Sequence, residues 1–129
     1  MMEKANQQIL DEQVSEAELQ ANIIKLATLR GYVHYHTLHA QGSDPGWPDI
    51  VLARVAEKPY YYPIGSEAIC PALYLKPRLI IIEVKREGQS PTDEQFFWLE
   101  TMRLAGLKVY VVWPGDWSSG FVEKILEGQ

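Results

Sequence analysis

Leu79-Ile80-Ile81-Ile82 is a continuously apolar run that ends abruptly in Glu83-Val84-Lys85. A half-exposed strand would alternate apolar and polar residues, so an unbroken run of this length fits a strand covered on both faces. Side chains along a strand alternate, which sends Glu83 and Lys85 from one face and Val84 from the other. An acid and a base therefore share one pocket at the end of a buried strand. A second short run, Asp49 to Ala53, follows Gly46-Trp47-Pro48 and brings another carboxylate to a strand tip. Two carboxylates and a lysine at the tips of two apolar runs form the donor set of a divalent-metal site.

The chain has 129 residues, enough for one core, and is expected to be a single domain, 1–129. Its 47% hydrophobic and 22% charged residues match globular averages, and no segment reaches the roughly 18 apolar residues of a membrane span. Residues 1–13 are polar and acidic, lack the basic flank and apolar centre of a secretory signal, and are expected as a flexible N-terminus. Cys70 stands alone and cannot form an internal disulfide, which favours a cytoplasmic setting. The net charge of -5 argues against a dedicated nucleic-acid coat protein. It leaves room for an enzyme whose acids hold a cation and whose phosphate contacts come from a local cluster such as Lys76, Arg78, Lys85 and Arg86.

Along the chain, Ser15 to Arg30 carries helix signals: Ser15 as N-cap, Glu18 completing a capping box, Gly31 as the stop, and an apolar stripe of Leu19, Ile23, Leu26 and Ala27. Tyr32 to Leu38 is aromatic and β-branched and is expected as a strand, followed by a turn-rich loop, Ala40 to Pro48. Residues 56–77 hold four prolines among consecutive tyrosines and are expected as an insertion between strands. After the strand Arg78 to Lys85, Ser90 as N-cap with Pro91 at the first position predicts a helix to Ala105. Leu107 to Trp113 is a further strand, and a short terminal helix carries Phe121, Val122, Ile125 and Leu126.

The order αβββαβ(α), with these residues, resembles the PD-(D/E)XK nuclease superfamily and, within it, the VRR-NUC branch. The resemblance runs through Ser15-Glu16 with Gln20, Gly42-Ser43 with Gly46, Pro48-Asp49, Glu83-Val84-Lys85, and Ser90-Pro91 with Gln95. Glu-x-Lys alone occurs by chance in many proteins; all five signatures in sequence order are specific. The resemblance implies a restriction-endonuclease-like α/β fold, a mixed central sheet flanked by helices, and Mg2+-dependent hydrolysis of DNA phosphodiester bonds.

Magnesium prefers oxygen ligands and keeps several waters, so few carboxylates suffice to hold it. Asp49 and Glu83 are the expected ligands with the Val84 backbone carbonyl as a third, and Mn2+ should substitute. Lys85 would orient the attacking water or meet the charge that develops on phosphate. A further acid is either Glu16 or Glu18. Helix phase puts Glu16 near the Leu19-Ile23-Ala27 line while Glu18 serves the cap, which favours Glu16 as a catalytic or second-metal residue, with Gln20 one turn on. Gln95 heads the stripe of Trp98, Leu99 and Met102 and is expected near the active site, while Ser43, Gly46 and Arg86 have supporting or DNA-binding roles.

His34, His36 and His39 lack partners at zinc-ligand spacing, and Cys70 lacks a paired histidine, so neither a zinc site nor a thiol nucleophile is expected. The resemblance suggests branched DNA such as Holliday junctions as substrate. Cutting two strands of a junction needs two active sites, hence an expected homodimer, with the aromatic insertion as the first surface to consider. A duplex-specific nickase or restriction-like nuclease is the nearest rival reading. A catalytically silent DNA-binding or assembly module is the other.

Overall fold

The computed structural model describes residues 2–37, 44–54 and 78–128. In chain order these form α1 (Met2–Glu12), α2 (Glu16–Leu29), β1 (Val33–His36), β2 (Ile50–Arg54), β3 (Arg78–Val84), α3 (Asp93–Leu104), β4 (Lys108–Val112), α4 (Pro114–Ser118) and α5 (Phe121–Glu127). The strands make one sheet in the order β1-β2-β3-β4, antiparallel at β1/β2 and β2/β3 and parallel at β3/β4. A parallel pair cannot be closed by a hairpin, and α3 supplies the crossover. The mixed α/β sheet with flanking helices is the architecture the sequence predicted.

Register divides the sheet into two faces. Ile50 stands opposite Ile82 and Leu52 opposite Ile80, while Val84 pairs with Val112. These residues pack with Leu19, Ile23 and Ala27 of α2 and Val122, Ile125 and Leu126 of α5 into one core. Truncating any of the large aliphatics there to alanine should remove about 2–5 kcal/mol of stability. Ile81 and Glu83 leave the opposite face, and α3 buries Leu99 and Met102 outside the main core. β3 is thus covered on both sides, which its apolar run required.

Arg78 opens β3 and is structural. Its guanidinium donates to the Tyr32 hydroxyl at 2.9 Å and to the Ile125 carbonyl at 2.7 Å, and the Tyr32 hydroxyl donates to the Leu126 carbonyl at 2.7 Å. The last carbonyls of α5, which have no partners within the helix, are satisfied this way. The phosphate cluster expected around Arg78 therefore loses that member.

Three expectations about elements are corrected. Residues 2–12 form α1 rather than a flexible lead-in: Gln7 donates to Asp11 one turn on, and Asp11 accepts the Ser118 hydroxyl at 3.1 Å, tying α1 to α4. The N-cap of α3 is Thr92 rather than Ser90. Thr92 Oγ1 accepts the Gln95 N–H and the Gln95 side chain accepts the Thr92 N–H, so a full capping box outweighs the proline signal one residue earlier. The terminal helix is two short ones, α4 and α5, broken at Gly120, which adopts φ 84°. Among the described residues no helix is long and apolar enough to cross a membrane. Ser43, His39, Cys70 and the expected insertion 56–77 with its dimer surface lie outside the described residues.

Candidate active site

Asp49 ends the loop that leads into β2, and Glu83 and Lys85 stand at the end of β3. β2 and β3 are paired up to Ile50 and Ile82. One residue beyond, the Asp49 side chain takes over from the ladder: its Oδ2 accepts the Val84 N–H at 2.8 Å. That bond fixes the carboxylate against the strand carrying Glu83. Lys85 in turn donates its backbone N–H to the Val112 carbonyl at 2.9 Å, extending the parallel pairing by one step.

The electrostatics of this corner are unbalanced. Glu83 is 1% exposed and its Oε1 lies 3.7 Å from Lys85 Nζ, an ion pair rather than a hydrogen bond. Its other oxygen, Oε2, is buried with no hydrogen-bond partner. Burial first, and then the charge of Asp49, push the Glu83 carboxyl up to about 8, and Lys85 only partly opposes this. Two acids facing one ammonium leave a deficit of positive charge in a desolvated place. A proton can fill it, and so can a hard divalent cation, for which the orphaned Oε2 is a ready ligand. On this observation the donor set fits a metal.

Two tethers hold the loops on either side. Gly46, at φ 85°, lies against the first turn of α3, where an added Cβ would stand 2.5 Å from the Glu94 carbonyl oxygen and 2.7 Å from the Gln95 nitrogen. Only glycine permits both the conformation and the contact. Trp98 Nε1 donates to the Pro45 carbonyl at 3.0 Å, and the Trp47 and Trp98 rings meet edge to face at 5.1 Å. Beyond β3, Glu87 accepts the Gly115 N–H and Trp113 Nε1 donates to the Gln89 carbonyl at 2.7 Å. Asp49 and Lys85 thus stand on short spans pinned at α3 and at the start of α4.

The other expected residues divide. Gln95 and Gly46 line a cleft of about 460 Å³ with Thr37, Asp44, Asp49 and Glu94, so Gln95 is at the site, although its side-chain oxygen is engaged in the capping box. Arg86 is exposed just past Lys85. Gln20 lines a neighbouring groove instead, with His36 and Thr37. Glu16 sits half-buried in the first turn of α2, and Ser15 Oγ accepts the Glu18 N–H at 3.1 Å as the helix cap. Yet α2 covers the Ile50-Leu52-Ile80-Ile82 face, and Glu83 leaves the other. Among the described residues no group of three or more histidine, cysteine or acidic side chains is close enough to hold an ion. Asp49 and Glu83 are brought together; Glu16 is not.

Sequence reasoning missed the two-tryptophan tether, since Trp98 counted only as one of an apolar stripe. The Thr92-x-x-Gln95 capping box was missed as well, the start of α3 having been read at Ser90-Pro91. Comparison with curated proteins and with solved structures returns no match. Residues 3–113 match the model of the VRR-NUC domain, spanning every residue of the site just described, and the chain belongs to that family of nucleases.

Proposed function

We propose that the protein is a metal-dependent endonuclease that hydrolyses DNA phosphodiester bonds, acting on branched DNA such as four-way junctions, as a homodimer in the cytoplasm. The observation that carries the chemistry is the buried Glu83 carboxylate, with an oxygen that has no partner among the described residues, beside half-buried Asp49 and a lysine. Asp49 and Glu83, with the Val84 carbonyl, would hold Mg2+, or Mn2+ in its place. A hard cation there supplies positive charge for the phosphorane-like transition state and for the leaving oxygen.

The remaining chemistry belongs to the chain. The Val84 N–H holds one oxygen of Asp49 and leaves the other free to bind. Glu83 restrains the Lys85 ammonium, which is positioned to donate to a non-bridging phosphate oxygen or to orient the attacking water. The tethered Gly46 loop and α3 cap keep Asp49 from shifting when substrate arrives. Glu16 would act only by reaching round the end of the sheet, as an outer partner.

Cleavage of labelled four-way junctions, flaps and plain duplex, with Mg2+ or with EDTA, tests the reading. Junction cleavage that needs the metal and is lost in Asp49→Ala and Glu83→Ala is expected. Preference for duplex would replace the branched substrate, and binding without cleavage would point to a silent module. Sedimentation of the protein with and without a junction checks the dimer.

A further inference from the structure

Among the described residues, the cleft beside Asp49 presents Asp44, Asp49 and Glu94 and no cation. Such a wall favours a divalent ion and repels the phosphates flanking the one to be cut. Thr37 forms its far edge: its N–H donates to the Asp49 carbonyl at 3.0 Å and its hydroxyl to the Pro48 carbonyl at 3.3 Å. Thr37 also lines a second groove, of about 510 Å³, between α2 and β1. Gln20, Lys25 and His36 line that groove with two alanines and Ile24 of α2, and among the described residues no carboxylate lines it. The His36 ring is stacked on His34 at 5.6 Å, which limits the orientations open to it.

Among the described residues Arg30, Lys85 and Arg103 are held in ion pairs, Arg78 caps α5, and Arg54 lies over the Tyr32 ring. Lys4, Lys25, Arg86, Lys108 and Lys124 are exposed and make no ion pair among the described residues, and of these Lys25 lines the groove that meets the Asp49 cleft at Thr37. Among the described residues no cation lines the cleft at Asp49, whereas Lys25 lines the α2/β1 groove.

We propose that the groove between α2 and β1 binds the sugar-phosphate backbone of the substrate strand beside the bond being cut, with Lys25, Gln20 and His36 as its donors. The strand crosses the Thr37 ridge round the end of the sheet, bringing the next phosphate to the cleft that Asp49 lines. An acidic half for the cation and a basic half for phosphate divide one substrate path. The proposal rests on the nuclease reading and adds the residues that hold substrate away from the reacting phosphate.

The test compares Lys25→Ala, Lys25→Arg and, as a control, Lys108→Ala on β4. Binding of a labelled DNA is followed by fluorescence anisotropy at several salt concentrations in the Glu83→Gln background, which prevents turnover. Cleavage in Mg2+ is measured with Glu83 intact. Lys25→Ala should weaken binding about fivefold or more and lower the slope of log K against log salt by about one, with KM raised and kcat kept. Lys25→Arg should restore both, Lys108→Ala should change neither, and thermal unfolding should match the parent throughout. Equal affinity and salt slope for Lys25→Ala and the parent overturn the groove, whatever the cleavage result. Lys25-dependent binding without cleavage by the parent overturns the nuclease reading and leaves the groove standing, while no binding at all overturns both.

Discussion

Replacing Glu83 by glutamine should stabilise the metal-free protein, and the gain should grow with pH. Glutamine keeps the shape of the side chain and removes the charge that this corner cannot satisfy. The folded carboxyl titrates at about 8 against 4.5 for an ordinary glutamate. Between those values the folded state keeps a proton that the unfolded chain has released, so stability falls as pH rises through the window and levels off above it. At about 1.4 kcal/mol per unit, the ionised carboxylate destabilises the fold by on the order of 5 kcal/mol at the top of the window, comparable with the total stability of a small domain. Urea unfolding in EDTA, followed by tryptophan fluorescence at pH 5.0, 7.0 and 8.5, reads this directly. The variant should lie close to the parent at pH 5.0 and above it by several kcal/mol at pH 8.5. Saturating Mg2+ should then lift the parent at high pH, since the ion takes the place of the proton, and lift the variant little. Parent and variant curves that stay parallel across the three pH values would refute the assignment of the charge deficit to Glu83.

The remaining predictions concern its neighbours. Gly46→Ala should retain the fold but lower cleavage by about a hundredfold and weaken Mn2+ binding in calorimetry, because the loop must leave α3 and carry Asp49 with it; unchanged Mn2+ affinity would show that the contact does not position the site. Lys85→Met should abolish cleavage and raise the Glu83 carboxyl further, so that the loss of stability still begins near the ordinary glutamate value but extends to higher pH in the same unfolding experiment. Arg78→Met should remove about 1–3 kcal/mol of stability by leaving the Ile125 carbonyl without its partner, while the Tyr32 hydroxyl keeps its bond to Leu126, and should leave KM for DNA and its salt dependence unchanged. A raised KM with normal stability would return Arg78 to the phosphate contacts.

Much of the fold was legible because its signals are local. The apolar run before Glu83 announced a central strand, Ser15 and Gly31 bounded α2, and the strand, helix, strand order after Arg78 announced a parallel crossover. The misplacements have local causes as well. The start of α3 was read at Ser90-Pro91, whereas the reciprocal capping box at Thr92 supplies two hydrogen bonds where proline at the first position supplies only a preset φ. The N-terminal residues contain good helix formers, but their helix is held by a contact between Asp11 and Ser118, which no local window spans.

The sequence by itself determined that Glu83 and Lys85 share a face, since the two-residue period of a strand depends on nothing else. It determined that Asp49 closes the approach to a second strand, and the signatures around them marked the family. Tertiary structure alone decided which helix stands over that face. Helix phase tells which side of α2 meets the sheet, but the sheet has two faces, and α2 took the one that Glu83 leaves empty. It also decided that Gly46 must be glycine, because the backbone it touches belongs to α3, and that Trp98 secures the Asp49 loop from 53 positions away. Finally, burial of Glu83 beside Asp49 made a site short of positive charge, and a carboxylate's surroundings exist only once the chain has closed around it.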